Sequence, residues 1–281
     1  MSKKLLLFIV LILTMIPVSH TYIPDPGNIS PSYPVNHHQI DNYLGEFYSA
    51  LKSEVPKPEY EVFKKALTGF FNLKADNRIK KNLLTIIDFS LSSNLERMWI
   101  VDINRMKVIH YGLVAHGRNS GEEFARHFSN ISSSWQSSLG FYLTDGIYWG
   151  KHGMSLYLDG LEPGVNDKAR ARTIVMHSAD YVSKEFIRNF GRLGRSFGCP
   201  SIPLDNHKEI ITMLSGRSCL YIHYPDEEYH AGSRMLTRET AMSGLIRYLN
   251  NNPGMSERLP GLSGQIFITD LHKGVVSAPG Q

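Results

Sequence analysis

Apolar residues recur every three to four positions at Ile40, Leu44, Phe47 and Leu51. That spacing lines one face of an α-helix, and Pro56 stops the run. Tyr60, Phe63, Leu67 and Phe70 repeat it, predicting a second helix whose aromatic stripe is packing rather than a ligand box. Beyond residue 84 the pattern changes. Segments 98–103 and 107–114 are rich in β-branched and aromatic residues, with Asn104 and Arg105 between them as a hairpin turn. Further strands are predicted over 140–145, 155–161, 172–177 and 220–224. Asp205 is placed to cap a helix over 206–214, whose Ile210, Ile211 and Leu214 would face the core. Helical spacing returns around 238–249. Many short strands divided by Gly, Ser and Asn turns predict a mainly β (α+β) fold, a sandwich or barrel with few helices and an N-terminal helical segment.

Composition narrows this picture little. The 281 residues are 42% hydrophobic and 20% charged, which suits a folded domain, and no internal repeat is visible. A net charge of +4 with no Lys/Arg block gives no nucleic-acid footprint. The amino terminus says more. Lys3 and Lys4 precede an apolar run from Leu5 to Ile16, the layout of a secretory signal over residues 1–21. The run is shorter than the roughly 20 residues of a membrane span. No A-x-A cleavage pattern follows, so membrane association through an uncleaved leader stays open. Residues 22–34, rich in Pro, Ser, Asn and Gly, read as a linker. The divisions expected are a leader (1–21), a linker with helical accessory segment (22–85), a catalytic domain (86–225) and a C-terminal helix with tail (226–281).

Two places carry candidate chemistry. An apolar strand ends in His177-Ser178, and Cys199 sits in the loop Gly194-Arg-Ser-Phe-Gly-Cys-Pro200 ahead of a predicted helix. Glycine beside a nucleophile lets the backbone turn sharply and leaves N–H groups to face a developing oxyanion. Positive charge at Arg192 and Arg195 would lower a thiol pKa, and a histidine within reach would complete a thiolate–imidazolium pair. Singly, each piece has a bland reading: a strand-end histidine is commonly structural, and a free cysteine is commonly a small buried apolar residue. The only other cysteine is Cys219, and a Cys199–Cys219 disulfide is the competing reading in an exported chain.

Taken together, Met176-His177-Ser178 and Ser196-Phe-Gly-Cys199 resemble the signature of the L,D-transpeptidase catalytic domain (YkuD-type). The 99–114 hairpin and the segment Ser138-Leu-Gly-Phe-Tyr-Leu-Thr144 are similar to that family's opening elements. His152-Gly-Met-Ser-Leu and the Cys199 loop resemble its divergent branch of murein L,D-transpeptidase catalytic-domain proteins. The resemblance spans residues 90–225. It implies an L,D-transpeptidase-type β-sandwich, with Cys199 as nucleophile and His177 as base. Ser178 would orient the imidazole through its carbonyl, and N–H groups at Gly198 and Cys199 would form an oxyanion hole. Arg192, Arg195, His152, Tyr142 and Ser196 are the substrate-side candidates. The implied substrate is a peptidoglycan stem peptide, cut after its third residue through a thioester that passes to an amine or to water, in the periplasm or cell envelope. A monomer needing no cofactor is expected.

The chain departs from the family pattern in three ways. Phe197 replaces the usual loop histidine, Ser201 replaces an arginine, and the spacing from His177 to Ser196 is longer. Without that arginine, Arg192 or Arg195 would have to take the substrate carboxylate. Two other readings remain. One is a zinc peptidase using His152, Asp159, His177 and Asp180, although no H-E-x-x-H spacing is present. The other is a non-catalytic wall-binding protein. His110, His116 and His127 show no ligand spacing.

Overall fold

A computed structural model of the chain describes residues 37–259. The leader expected over 1–21, the linker over 22–34 and the tail from residue 260 lie outside the described residues. Two helices lead, α1 (His37–Ala50) and α2 (Tyr60–Ala75). Strands β1 (Leu83–Asp88), β2 (Met98–Asp102), β3 (Lys107–Gly112), β4 (Gly140–Gly150), β5 (Gly153–Gly160) and β6 (Val175–Ser178) follow. After them come α3 (Lys184–Phe190), β7 (Ser201–Ile202), α4 (His207–Leu214), β8 (Cys219–His223), α5 (Glu227–Gly232), α6 (Arg238–Asn250) and α7 (Met255–Arg258). The mainly β architecture with some helices is therefore the one expected. No described helix is long and apolar enough to cross a membrane.

All eight strands join one mixed sheet in the order β3-β2-β1-β8-β4-β5-β6-β7. Most neighbours are antiparallel, but β1 runs parallel to β8 and β6 parallel to β7. The two edges meet. Ala115, just past β3, bridges Ser201 of β7, and Gly117 bridges Ser196. This seam draws the sheet toward a barrel. It also sets the Cys199 loop beside the end of β6, because Ser201 pairs with His177 on one side and Ala115 on the other.

The helical spacings fold as the pattern requires. Ile40, Leu44, Phe47 and Leu51 are all buried, as are Phe63, Leu67 and Phe70 of α2. Glu59, accepting from the Val62 N–H at 3.0 Å, caps α2. These side chains share one apolar core with the sheet and with α6. Phe47 and Phe71 meet edge to face at 5.4 Å, and Phe71 lies 5.7 Å from Tyr248 of α6. Asp205 does not cap α4, correcting the expectation; Asn206 holds the cap position without a side-chain hydrogen bond.

The close approach of α2 and α6 depends on Gly244. A Cβ there would lie 1.8 Å from the Phe71 carbonyl oxygen and 2.9 Å from the Ala75 nitrogen, both backbone atoms that cannot swing aside. Gly244→Ala would force the helices apart. Overpacking of this kind costs about 1–3 kcal/mol, only partly offset by the ~1 kcal/mol that alanine adds to a helix. The expected result is a lower urea midpoint at unchanged slope. An unaltered midpoint would show that the helices yield freely.

Candidate active site

His177 reaches the site because β6 is pinned on both sides. It pairs with Ser155 of β5 and Ser201 of β7, leaving its side chain 2% exposed. The ring Nδ1 lies 2.9 Å from the Ser178 carbonyl oxygen, and Nε2 lies 3.1 Å from Ser201 Oγ. A carbonyl can only accept, so Nδ1 carries the proton and Nε2 is the acceptor. Ser201 must then donate to Nε2, and Tyr181, whose hydroxyl is 3.1 Å from Ser201 Oγ, donates to Ser201. Burial pushes the imidazole below its usual pKa, with the Ser178 carbonyl partly opposing and His152 and Lys151 adding to the shift. A neutral ring with its lone pair at Nε2 is the form of a general base.

Cys199 lies on a loop that glycine makes possible. Gly198 has φ +120°, and a Cβ there would sit 2.7 Å from the Gln136 carbonyl oxygen. Ser196 Oγ donates to the Cys199 carbonyl at 2.6 Å and accepts from the Gly198 N–H at 3.0 Å. The Gly198 N–H is thus engaged inside the loop by Ser196 Oγ. Among the described residues the Cys199 N–H has no acceptor. The sulfur accepts from the Val175 N–H at 3.5 Å and faces the Thr173 carbonyl at 3.7 Å. Both cysteines are free; Cys219 is buried on β8, so no bridge locks the Cys199 thiol. Burial raises the Cys199 pKa, opposed by the Val175 N–H and by Arg172 and Lys151.

Cys199 and His177 line one cleft of about 650 Å³ together with His152, Arg172, Ser196 and Phe197. No hydrogen bond joins the sulfur to the imidazole; each holds other partners. His152 lies flat against His177, ring centres 4.3 Å apart and planes 17° from parallel. Phe197, where the family pattern has a histidine, is exposed and packs on Trp135 at 5.1 Å. Two substrate-side candidates are not here. Tyr142 is fully buried, its hydroxyl donating to the Ser138 carbonyl at 3.0 Å, because its strand position faces the core. Arg192 donates to the Leu193 carbonyl and pairs with Glu122, away from the cleft lining. Arg195 does line the cleft, but its guanidinium is held by Glu122 at 2.7 Å and by the Gly121 carbonyl. The zinc set does not gather. Asp159 is paired with Arg170, the two histidine rings stack rather than converge, and no cluster of three ligating side chains occurs among the described residues.

Three contributors were not among the candidates. Ser201 and Tyr181 come from register across the β6–β7 pair, which local spacing does not reveal. His116, without ligand spacing in the sequence, is buried against Arg97 at 2.8 Å, and its carbonyl accepts from the Ser196 N–H at 3.0 Å. It supports the base of the Cys199 loop.

Residues 54–223 match the family model described as the L,D-transpeptidase catalytic domain. The chain belongs to that family. Among solved structures, an L,D-transpeptidase from Mycobacterium smegmatis is similar at 12% identity and a TM-score of 0.31, covering 51% of this chain and 59% of that one. An L,D-transpeptidase from Stackebrandtia nassauensis is similar at 12% identity and a TM-score of 0.32, covering 67% of this chain and 92% of that one. No curated protein matches.

For this family member the hydroxyl relay has a measurable consequence. Ser201 donating to Nε2 favours the neutral ring, so Ser201→Ala should raise the imidazole pKa toward its ordinary value. The acid limb of the activity–pH profile should move up by about half a unit. A profile superimposable on the wild type would show that the hydroxyl does not hold the ring's protonation state.

Proposed function

We propose that the chain is a peptidoglycan L,D-transpeptidase, or an L,D-carboxypeptidase with water as acceptor, working through a thioester on Cys199. The observation that carries this reading is the shared cleft: a free, half-buried thiol lining the same space as a buried imidazole whose Nδ1 is fixed by a backbone carbonyl. In the resting state the thiol faces Thr173 O and Nε2 accepts from Ser201. Attack requires the Cys199 side chain to change rotamer and displace Ser201 from Nε2. Hydrogen bonds of this kind commonly form only once substrate is bound.

The steps then balance. Sγ adds to the carbonyl carbon of the stem peptide's third residue while its proton passes to His177 Nε2. The Cys199 N–H is the available backbone donor for the oxyanion. Collapse breaks the C–N bond, and the imidazolium returns its proton to the departing D-alanine amine. In the second half, His177 takes a proton from an incoming amine or water that attacks the thioester, releasing the thiol. Covalent catalysis conserves the energy of the cleaved peptide, so a crosslink needs no nucleotide. The role fits an exported monomer in the periplasm or cell envelope, held at the membrane where the leader is not removed.

Incubation with purified muropeptides followed by mass spectrometry tests the reading. The expected result is an acyl adduct mapped to Cys199 and loss of D-alanine, with crosslinked or trimmed product. A donor consumed without any adduct, and at an unchanged rate after thiol alkylation, would refute it.

A further inference from the structure

Arg172 differs from the two arginines nearest Cys199 in sequence. Arg192 and Arg195 are neutralised by Glu122, whereas Arg172 has no carboxylate within ion-pair distance among the described residues. It lies half-buried in the cleft lining with Cys199. A guanidinium out of water with no counter-ion is costly, and it persists only where hydrogen bonds compensate. Here they come from a single loop. Nη1 donates to the Ser129 carbonyl at 2.5 Å and to Ser138 Oγ at 2.6 Å; Nη2 donates to the Gln136 carbonyl at 2.7 Å and to Ser134 Oγ at 3.2 Å. Four acceptors spread over residues 129–138 are gathered by one planar group.

That loop abuts the nucleophile. The Gln136 carbonyl would lie 2.7 Å from any Cβ at Gly198, and Ser137 Oγ donates to the Gly198 carbonyl at 3.1 Å while accepting from the Gly117 N–H at 3.0 Å. The chain following Arg172 also wraps the sulfur, since Thr173 supplies the carbonyl and Val175 the N–H that face Sγ. We propose that Arg172 is a positioning residue for Cys199: its guanidinium clamps the 129–138 loop against the Gly198–Cys199 turn and supplies the unpaired positive charge that favours the thiolate. This rests on Cys199 being the nucleophile. The attraction between Arg172 and the Cys199 sulfur accords with it, opposing the effect of burial on the thiol. The other ionisable groups lining the cleft with the sulfur are Lys151, His177, His152, Tyr148, Tyr181 and Arg195, the last already paired with Glu122.

The two roles separate by substitution. Arg172→Met removes clamp and charge; Arg172→Lys keeps the charge but cannot span four acceptors. In the full chain, iodoacetamide labelling of Cys199 would be followed by peptide mass spectrometry across pH, alongside muropeptide turnover. In R172M the labelling midpoint should rise by about one unit, with labelling at pH 7 slowed about tenfold. R172K should keep the midpoint within a few tenths of a unit yet lose about tenfold or more in kcat. Wild-type midpoints in R172M, or equal shifts in R172M and R172K, would overturn the charge role; wild-type kcat in R172K would overturn the clamp. Should R172M fail to fold, Arg172→Gln, which keeps hydrogen-bonding groups but no charge, takes its place: the same rise in midpoint is expected, and a wild-type midpoint would overturn the charge role. Labelling does not depend on turnover, so an active Cys199→Ala protein would sink the nucleophile reading without altering the labelling result.

Discussion

Replacing Cys199 with alanine should abolish turnover of stem peptides, a loss on the order of 10³-fold or more, while thermal stability changes little. The side chain is half-buried and makes only weak contacts to the Val175 N–H and Thr173 carbonyl, so its removal opens a small space in an already open cleft. Cys219→Ala separates the two thiols. That residue is sealed within β8, paired with Leu84 and Leu143, and burial lifts its thiol far above the ordinary range. Its alanine variant should keep wild-type turnover and lose about 1 kcal/mol of stability as a truncated core residue. Kinetics on both variants, with unfolding curves alongside, give the comparison. Comparable activity in Cys199→Ala and wild type would leave the loop glycine and the free thiol without a catalytic explanation and favour a wall-binding role.

His177→Gln should be nearly as damaging, lowering kcat/KM by about 10²–10⁴-fold. Glutamine can retain a contact to the Ser178 carbonyl but has no basic nitrogen. In the wild type the pH dependence follows from the direction of the shift. The imidazole must be neutral to accept the thiol proton, and its pKa lies below the ordinary histidine value. Activity should therefore rise along an acid limb lying under about pH 6.5 and hold level through neutrality. Because burial also lifts the Cys199 pKa, the resting pair is thiol and imidazole, not the ion pair. A limb that survives in His177→Gln would assign the titration to another group, with His152, stacked on the same ring, the next to examine.

The histidine and cysteine that share the cleft each carry a local signal in the chain: a histidine closing an apolar run, and a cysteine after a glycine with positive φ. What surrounds them does not. Segment 172–177 reads as one strand, yet the strand begins only at Val175, and Thr173 turns with φ +56°. That turn releases Arg172 from the sheet toward the 129–138 loop, a consequence invisible to periodicity. Ser201 and Tyr181 matter through pairing between distant segments. Among the elements, β1 escaped because a buried central strand shows no alternation. Helix α3 escaped for the opposite reason, since none of its residues is buried and only its Ser183 cap and the left-handed Gly191 mark it. Arg192 and Arg195 were legible as cations near the nucleophile in sequence, but their pairing with Glu122 lies more than 60 positions upstream.

The seam where the sheet meets itself bears on how a peptide can be read. Ser201 is already paired with His177 and Ala115, and Gly117 with Ser196, so at this seam those described residues leave an extended ligand no ladder to zip onto. A stem peptide entering here would have to be gripped by its ends and side groups instead. Discrimination among donors would then be a matter of cleft furniture, a handful of rings and hydroxyls, rather than of main-chain register.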